Sequence, residues 1–147
     1  MFLLDTNIVS LLDPRRHGLH PGLVPWLRRN GAYIFLSVIT LTELESGILK
    51  LRRDSKIKRA DEYAALRDRI IGDFADRILP VNADVALVAA RLADIARPQH
   101  IELADLIVAA TAKTHGLCVL TRNLRHFVPT GVPTIDPTTA LPADPAP

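Results

Sequence analysis

The sequence predicts an α/β fold, a doubly wound sandwich with helices on both faces of a central, mostly parallel sheet of four or five strands. Three observations carry that expectation. Short, strongly apolar runs at Met1–Leu4, Tyr33–Leu36 and Leu117–Thr121 are separated by segments whose apolar residues recur at helical spacing. Strands joined through helices pair in parallel, and such a sheet must be covered on both sides. No internal repeat or compositional break divides the 147 residues, a length that suits one core.

In chain order, Phe2-Leu3-Leu4 has no polar break and reads as a strand buried on both faces. It runs directly into Asp5, and the i, i+3, i+4 spacing of Ile8, Leu11 and Leu12 then marks a short helix. Residues 13–22 concentrate Asp13, Pro14, Gly18, Pro21 and Gly22 and are expected to form a loop. Leu23, Trp26 and Leu27 set a helix over Pro21–Asn30, closed by Arg28 and Arg29, whose charge suits the helix C-terminus. Tyr33–Leu36 is the second strand. Thr40-Leu41-Thr42-Glu43 fits a capping box opening a helix with the stripe Leu41, Leu44 and Ile48. The basic run Lys50–Arg59 reads first as a solvated helix end and turn, and second as a surface for phosphates.

Residues 60–76 form the next helix, on a ridge of Tyr63, Leu66, Ile70 and Phe74. Ile78–Val81 is a short edge strand, because Pro80 removes a backbone donor. Asn82 caps a helix bearing Val85, Val88, Leu92 and Ile95, which Pro98 closes. A final long helix spans Glu102–His115 and stops at Gly116. Leu117–Thr121 is the third strong strand, Arg122–Phe127 a loop or single turn, and Thr134-Ile135 a last short strand. The domain is expected over residues 1–137, with a weakly ordered Pro/Ala-rich tail over residues 138–147.

Bulk properties exclude several classes. Hydrophobic residues make up 48% of the chain and charged residues 23%, an ordinary balance for a soluble protein. No apolar run approaches a membrane span, and the N-terminus lacks a basic region followed by an apolar core and cleavage site, so a cytoplasmic location is expected. The single Cys118 sits in Leu117-Cys118-Val119-Leu120 and is expected to be buried and inert. A net charge of +2 permits a nucleic-acid partner without demanding one.

Three acids stand out against this frame. Asp5 ends a buried strand, where open parallel sheets bind ligands, although Asp5 or Thr6 would serve equally as a helix cap. Glu43 is explained by the capping box, yet it also follows the second strand at the same sheet edge. Asp105 lies in Leu103-Ala104-Asp105-Leu106-Ile107-Val108-Ala109-Ala110, with no opposite charge nearby in the helix, and Ala109 and Ala112 on its stripe leave an open notch. An ionised acid there needs a partner or a cation, unless it faces solvent beside Glu102. Carboxylates gathered at one edge repel unless a hard cation neutralises them, and oxygen ligands suit Mg²⁺ or Mn²⁺. No Cys or His cluster has zinc spacing. This chemistry fits metal-assisted phosphodiester hydrolysis, in which the cation acidifies water and offsets charge on phosphate oxygens.

Four segments taken in order resemble PIN-domain ribonucleases: Leu3-Leu4-Asp5-Thr6-Asn7; Ser37 to Gly47 around Glu43; Ala104 to Ala112 around Asp105; and Leu120-Thr121-Arg122-Asn123-Leu124-Arg125-His126-Phe127. They are similar, more narrowly, to VapC-type toxins of type II toxin-antitoxin pairs, including the FitB-like branch. The resemblance implies that Asp5, Glu43 and Asp105 hold a divalent ion, Mg²⁺ with Mn²⁺ as substitute, supported by Thr6 or Asn7 and by Thr121. It implies a homodimer, an RNA substrate and a VapB-like antitoxin, joined in a higher heteromer, with no membrane role. One departure is visible. The family often places an acid in the segment where this chain has Asn123 and His126. Asn123 can offer an amide oxygen without charge, His126 can contact phosphate, and Arg122 and Arg125 are candidate RNA-backbone contacts or ordinary surface charge. The resulting expectation is a metal-dependent endoribonuclease toxin. A catalytically weakened RNA- or protein-binding module is the alternative. A phosphatase built on an Asp nucleophile is disfavoured, because Asp5-Thr6-Asn7 lacks the second nearby Asp of haloacid-dehalogenase-like enzymes.

Overall fold

A computed structural model describes residues 1–145. Five strands form one sheet: β1 (Phe2–Leu4), β2 (Ile34–Ser37), β3 (Ile78–Leu79), β4 (Cys118–Leu120) and β5 (Thr134–Ile135). Their order is β3-β2-β1-β4-β5, and every neighbouring pair is parallel. The apolar Phe2-Leu3-Leu4 run lies at the centre because it can be buried on both faces. Leu4 packs with Ile8, Leu11, Trp26, Leu66 and Ile70 on one side, and Leu3 with Val85, Leu92, Val108, Val119 and Phe127 on the other. The Ile78–Leu79 edge strand falls where Pro80 costs no ladder bond.

The helices are α1 (Thr6–Val9), α2 (Leu23–Arg29), α3 (Val38–Arg53), α4 (Ile57–Asp73), α5 (Ala83–Ile95), α6 (Leu103–Thr114) and α7 (Leu124–Phe127). The Asn82 cap forms as expected, its side-chain oxygen accepting from Val85 N at 3.0 Å. Gly116, at φ +64°, takes the left-handed conformation after α6, and the chain turns into β4 with Leu117 N–H donating to Ala112 O at 2.8 Å.

Local expectations needed correction where two signals competed. The capping box does not form. The helix starts at Val38, directly from the strand, with Ser37 as its cap, and the Ser37 hydroxyl oxygen accepts from Ile39 N at 3.2 Å. Thr40 lies fully buried inside the helix, and Glu43 is in its second turn rather than at its start. The expected loop at 13–22 contains a 3₁₀ segment over Pro14–Leu19, begun by Asp13. The helix expected at 60–76 begins earlier, at Ile57. Cys118 is only half-buried, and burial pushes its thiol above the usual range.

Within the basic run, Arg52 pairs with Asp61, and Arg59 with the buried Asp13 at 2.8 Å, so the run is an exposed helix end, a turn and the start of α4. Asp144 accepts from Arg29 and Asn30. Of the tail expected at 138–147, Ala146 and Pro147 lie outside the described residues. Among the described residues, no helix is long and apolar enough to cross a membrane.

Candidate active site

The parallel sheet brings the C-terminal ends of β1, β2 and β4 side by side, and the candidate residues stand at those ends. Asp5 follows β1 and continues its ladder, its N–H donating to Leu120 O at 3.0 Å. Asp5 is 5% exposed, and its carboxylate receives three donors. Thr6 N reaches Oδ1 at 2.7 Å, while Asn7 Nδ2 and the Thr121 hydroxyl reach Oδ2 at 2.7 and 2.6 Å. The capping reading of Asp5 is thus realised, with one carboxylate oxygen left over from the cap. One oxygen caps α1, and the other is gripped from across the sheet by Thr121, which is fully buried at the end of β4.

Asn7 and Thr121 bind one another as well, with Asn7 Nδ2 3.0 Å from Thr121 Oγ1. Asn7 Oδ1 accepts from Arg122 N at 3.1 Å, and Thr121 Oγ1 accepts from Asn123 N at 2.9 Å. These polar links tie the turn after β1 to the turn after β4. Glu43 enters from α3, and its carboxylate accepts a hydrogen bond from the Thr6 hydroxyl. Asp105 enters from the first turn of α6, and its Oδ2 lies 2.6 Å from His126 Nδ1.

A cleft of about 380 Å³ is lined by Asp5, Thr6, Asn7, Ser10, Glu43, Glu102, Asp105, Asn123 and His126. The fold therefore brings together Asp5, Glu43, Asp105 and Asn123 along one opening, with Thr6, Asn7 and His126 among its walls. Thr121 lies beneath it. Arg122 and Arg125 are exposed beside it and form no ion pair among the described residues. The open notch expected beside Asp105 is absent: Ala109 and Ala112 are wholly buried in the core, and Asp105 faces the cleft from the helix end. Glu102, named from sequence only as a neighbour of Asp105, is exposed and is a wall of the same cleft. Its place three residues before Asp105, at the cap of α6, was the available signal.

Electrostatics mark this cleft as short of positive charge. Burial holds the Asp5 carboxyl above its usual 3.8, and repulsion from Asp105 adds to it, against the opposing bonds from Thr121 and Thr6. Glu43 is raised above its usual 4.5, first by burial and then by Asp5, Asp105 and Glu102, with the Thr6 bond opposing. Among the described residues, no three His, Cys, Asp or Glu side chains converge tightly enough to form a closed cation cage. Each acid turns instead to its own donor: Asp5 to Thr121, Glu43 to Thr6, and Asp105 to His126. The donor set nonetheless fits a hard divalent ion. It is all oxygen, it gathers acids whose ionised forms the fold penalises, and it opens to solvent.

Comparison with known proteins agrees with this fold. The PIN domain family model matches residues 2–128. The toxin FitB of Neisseria gonorrhoeae is 36% identical over 140 residues, covering 93% of this chain and 98% of FitB. VapC ribonuclease Y4jK of Sinorhizobium fredii is 30% identical over 143 residues, covering 93% of this chain and 97% of that protein. The crystal structure of FitAcB from Neisseria gonorrhoeae superposes with a TM-score of 0.73 at 32% identity, covering 93% of this chain and 98% of that one.

Proposed function

The chain belongs to the PIN domain family, and on that premise we propose that it is a divalent-metal-dependent endoribonuclease, the toxin of a VapBC-like pair. The observation that supports this most is the shared cleft. Acids from three remote elements, Asp5, Glu43 and Asp105, face it, and Asp5 and Glu43 are destabilised as anions by burial and by neighbouring acids, Asp105 for Asp5 and Asp5, Asp105 and Glu102 for Glu43. Asp5, Glu43 and Asp105 would hold Mg²⁺, or Mn²⁺ in its place, with Asn123 offering a neutral oxygen. A divalent cation there supplies the positive charge that acidifies water and offsets charge on the phosphate oxygens.

The chain's own residues do the rest. Thr121 and Asn7 fix the orientation of Asp5, and Thr6 fixes that of Glu43. Arg122 and Arg125 stand where an RNA backbone entering the cleft would meet them. Residues 1–137 form the catalytic unit in this reading, and the protein acts in the cytoplasm. The relative at 36% identity is named a toxin, and a structurally similar chain comes from a toxin-antitoxin complex from Klebsiella pneumoniae, which supports a separate antitoxin chain as partner. The homodimer and a larger heteromer with antitoxin follow from the family resemblance.

Replacing Asp5 with Asn tests the reading. Metal-dependent RNA cleavage should be lost while the circular dichroism spectrum is kept, and unchanged cleavage would remove Asp5 from the site. Metal-independent RNA binding by the wild-type protein, without cleavage, would favour the alternative of a binding module.

A further inference from the structure

The turn after β4 and the short helix α7 that follows it hold two carboxylates at once. Thr121 donates to Asp5, while His126 Nδ1 lies 2.6 Å from Asp105 Oδ2. The second contact joins a side chain of α7 to one in the first turn of α6. Asp105 Oδ1 has no hydrogen-bond partner among the described residues. The two side chains are sheltered, 27% exposed for His126 and 17% for Asp105.

An ionised carboxylate only accepts, so a bare Nδ1 at that distance would set two lone pairs against each other. Nδ1 therefore carries a hydrogen and donates it to Asp105. Asn123 Nδ2 also lies 2.6 Å from Nδ1, but a ring nitrogen has one hydrogen to give and the carboxylate is the stronger acceptor, while the Asn123 amide oxygen accepts from Arg125 Nε at 3.4 Å. The backbone fixes the ring from behind: Asn123 N–H donates to Thr121 Oγ1 at 2.9 Å, and His126 N–H donates to Asn123 O at 3.0 Å. The turn that grips Asp5 thus also aims the imidazole.

We propose that His126 is a positioning residue whose Nδ1–H fixes the side chain of Asp105, leaving the other Asp105 oxygen free for a cation. This rests on the reading of the cleft as a divalent-metal site. A carboxylate at this position would add charge to an already repulsive cleft. The imidazole instead orients one of the acids without joining the repulsion, as partners behind a metal ligand commonly do.

The test uses the full-length protein and the variants His126→Ala, His126→Gln and His126→Asn, with folding followed by circular dichroism. Asn places an N–H donor at the Nδ1 position and Gln places one further out, at the Nε2 position. Titration with Mn²⁺ alone, without RNA, is the primary readout. His126→Ala and His126→Gln should bind Mn²⁺ about 10- to 100-fold more weakly, and His126→Asn should return close to the wild-type value. Unchanged Mn²⁺ affinity in His126→Ala overturns the proposal. So does equal loss in all three variants with Ni²⁺ affinity falling more than Mn²⁺ affinity, which would make the imidazole a direct ligand. A raised KM for RNA with unchanged Mn²⁺ affinity would make His126 a phosphate contact instead. Wild-type protein that binds no Mn²⁺ overturns the metal-site reading itself and the proposal with it. A check independent of metal is the ¹⁵N chemical shift of the His126 ring, which should report the Nδ1–H tautomer; an Nε2–H tautomer in the metal-free protein overturns the proposal.

Discussion

Thr121→Val removes one hydroxyl from the centre of the site and changes almost nothing in volume. Thr121 is fully buried, and its hydroxyl donates to Asp5 Oδ2 while accepting from Asn123 N and Asn7 Nδ2. A hydrogen bond to a charged group contributes roughly 1.5–3 kcal/mol, and Asp5 would keep its Thr6 and Asn7 donors, so about 2 kcal/mol of stability should be lost at neutral pH. For a chain of this size that corresponds to a fall of about 6 °C in Tm.

The loss should depend on pH in a defined direction. The Asp5 pKa is already raised above its usual 3.8, so its ionised form subtracts stability at neutral pH and subtracts none below the unfolded value. Thr121 opposes that rise, and removing it raises the pKa further. The deficit of the variant should therefore be full above the raised folded pKa and shrink as pH falls toward 3.8. Thermal melts of both proteins without metal, from neutral pH down to about pH 4, read this out. Equal Tm values, or a gap that does not close on acidification, would show that Thr121 is only a packing residue.

Glu43→Gln keeps an acceptor for the Thr6 hydroxyl but removes a charge that burial and three acids penalise, so metal-free Tm at neutral pH should rise. The same variant should lose about 10²- to 10³-fold in RNA cleavage, measured as kcat on a fixed oligonucleotide. Saturating Mn²⁺ at about 100 times its Kd should stabilise the wild-type protein by roughly 2.7 kcal/mol and Glu43→Gln by less, as read from melting curves. Changing Arg122 and Arg125 together to Ala should weaken RNA binding and reduce the slope of log affinity against log salt by about 0.7 per arginine, checked by fluorescence anisotropy across a salt series.

How much was legible in the sequence differs from residue to residue, for physical reasons. Asp5 was readable because a fully buried strand cannot tolerate an acid, so its place marks the strand's end. Asp105 was readable as an acid in need of a partner. That partner, His126, lies 21 residues away and depends on how the turn after β4 folds back, which no local pattern encodes. Glu43 was placed at the right edge because it follows the second strand, but the capping box that offered the competing explanation does not form. Thr40-x-x-Glu43 and Ser37 offered two caps three residues apart, and the strand runs into the helix without a loop, so the earlier one forms. Ser37 directly after the apolar strand was the signal to weigh more heavily, since a start at Thr40 would leave Val38 and Ile39 in a loop. The Thr121 grip on Asp5 spans 116 residues and follows from β1 pairing with β4, a topology the alternation of strands and helices narrows without fixing.

The most direct test of the central claim is incubation of the purified protein with total cellular RNA and Mg²⁺ or Mn²⁺, beside a chelator control and Asp105→Ala. Discrete fragments that vanish in both controls are expected, and their ends would identify the RNA and the bond. Absence of cleavage by folded, metal-bound protein free of antitoxin would contradict the nuclease reading and leave a PIN-domain binding module in its place.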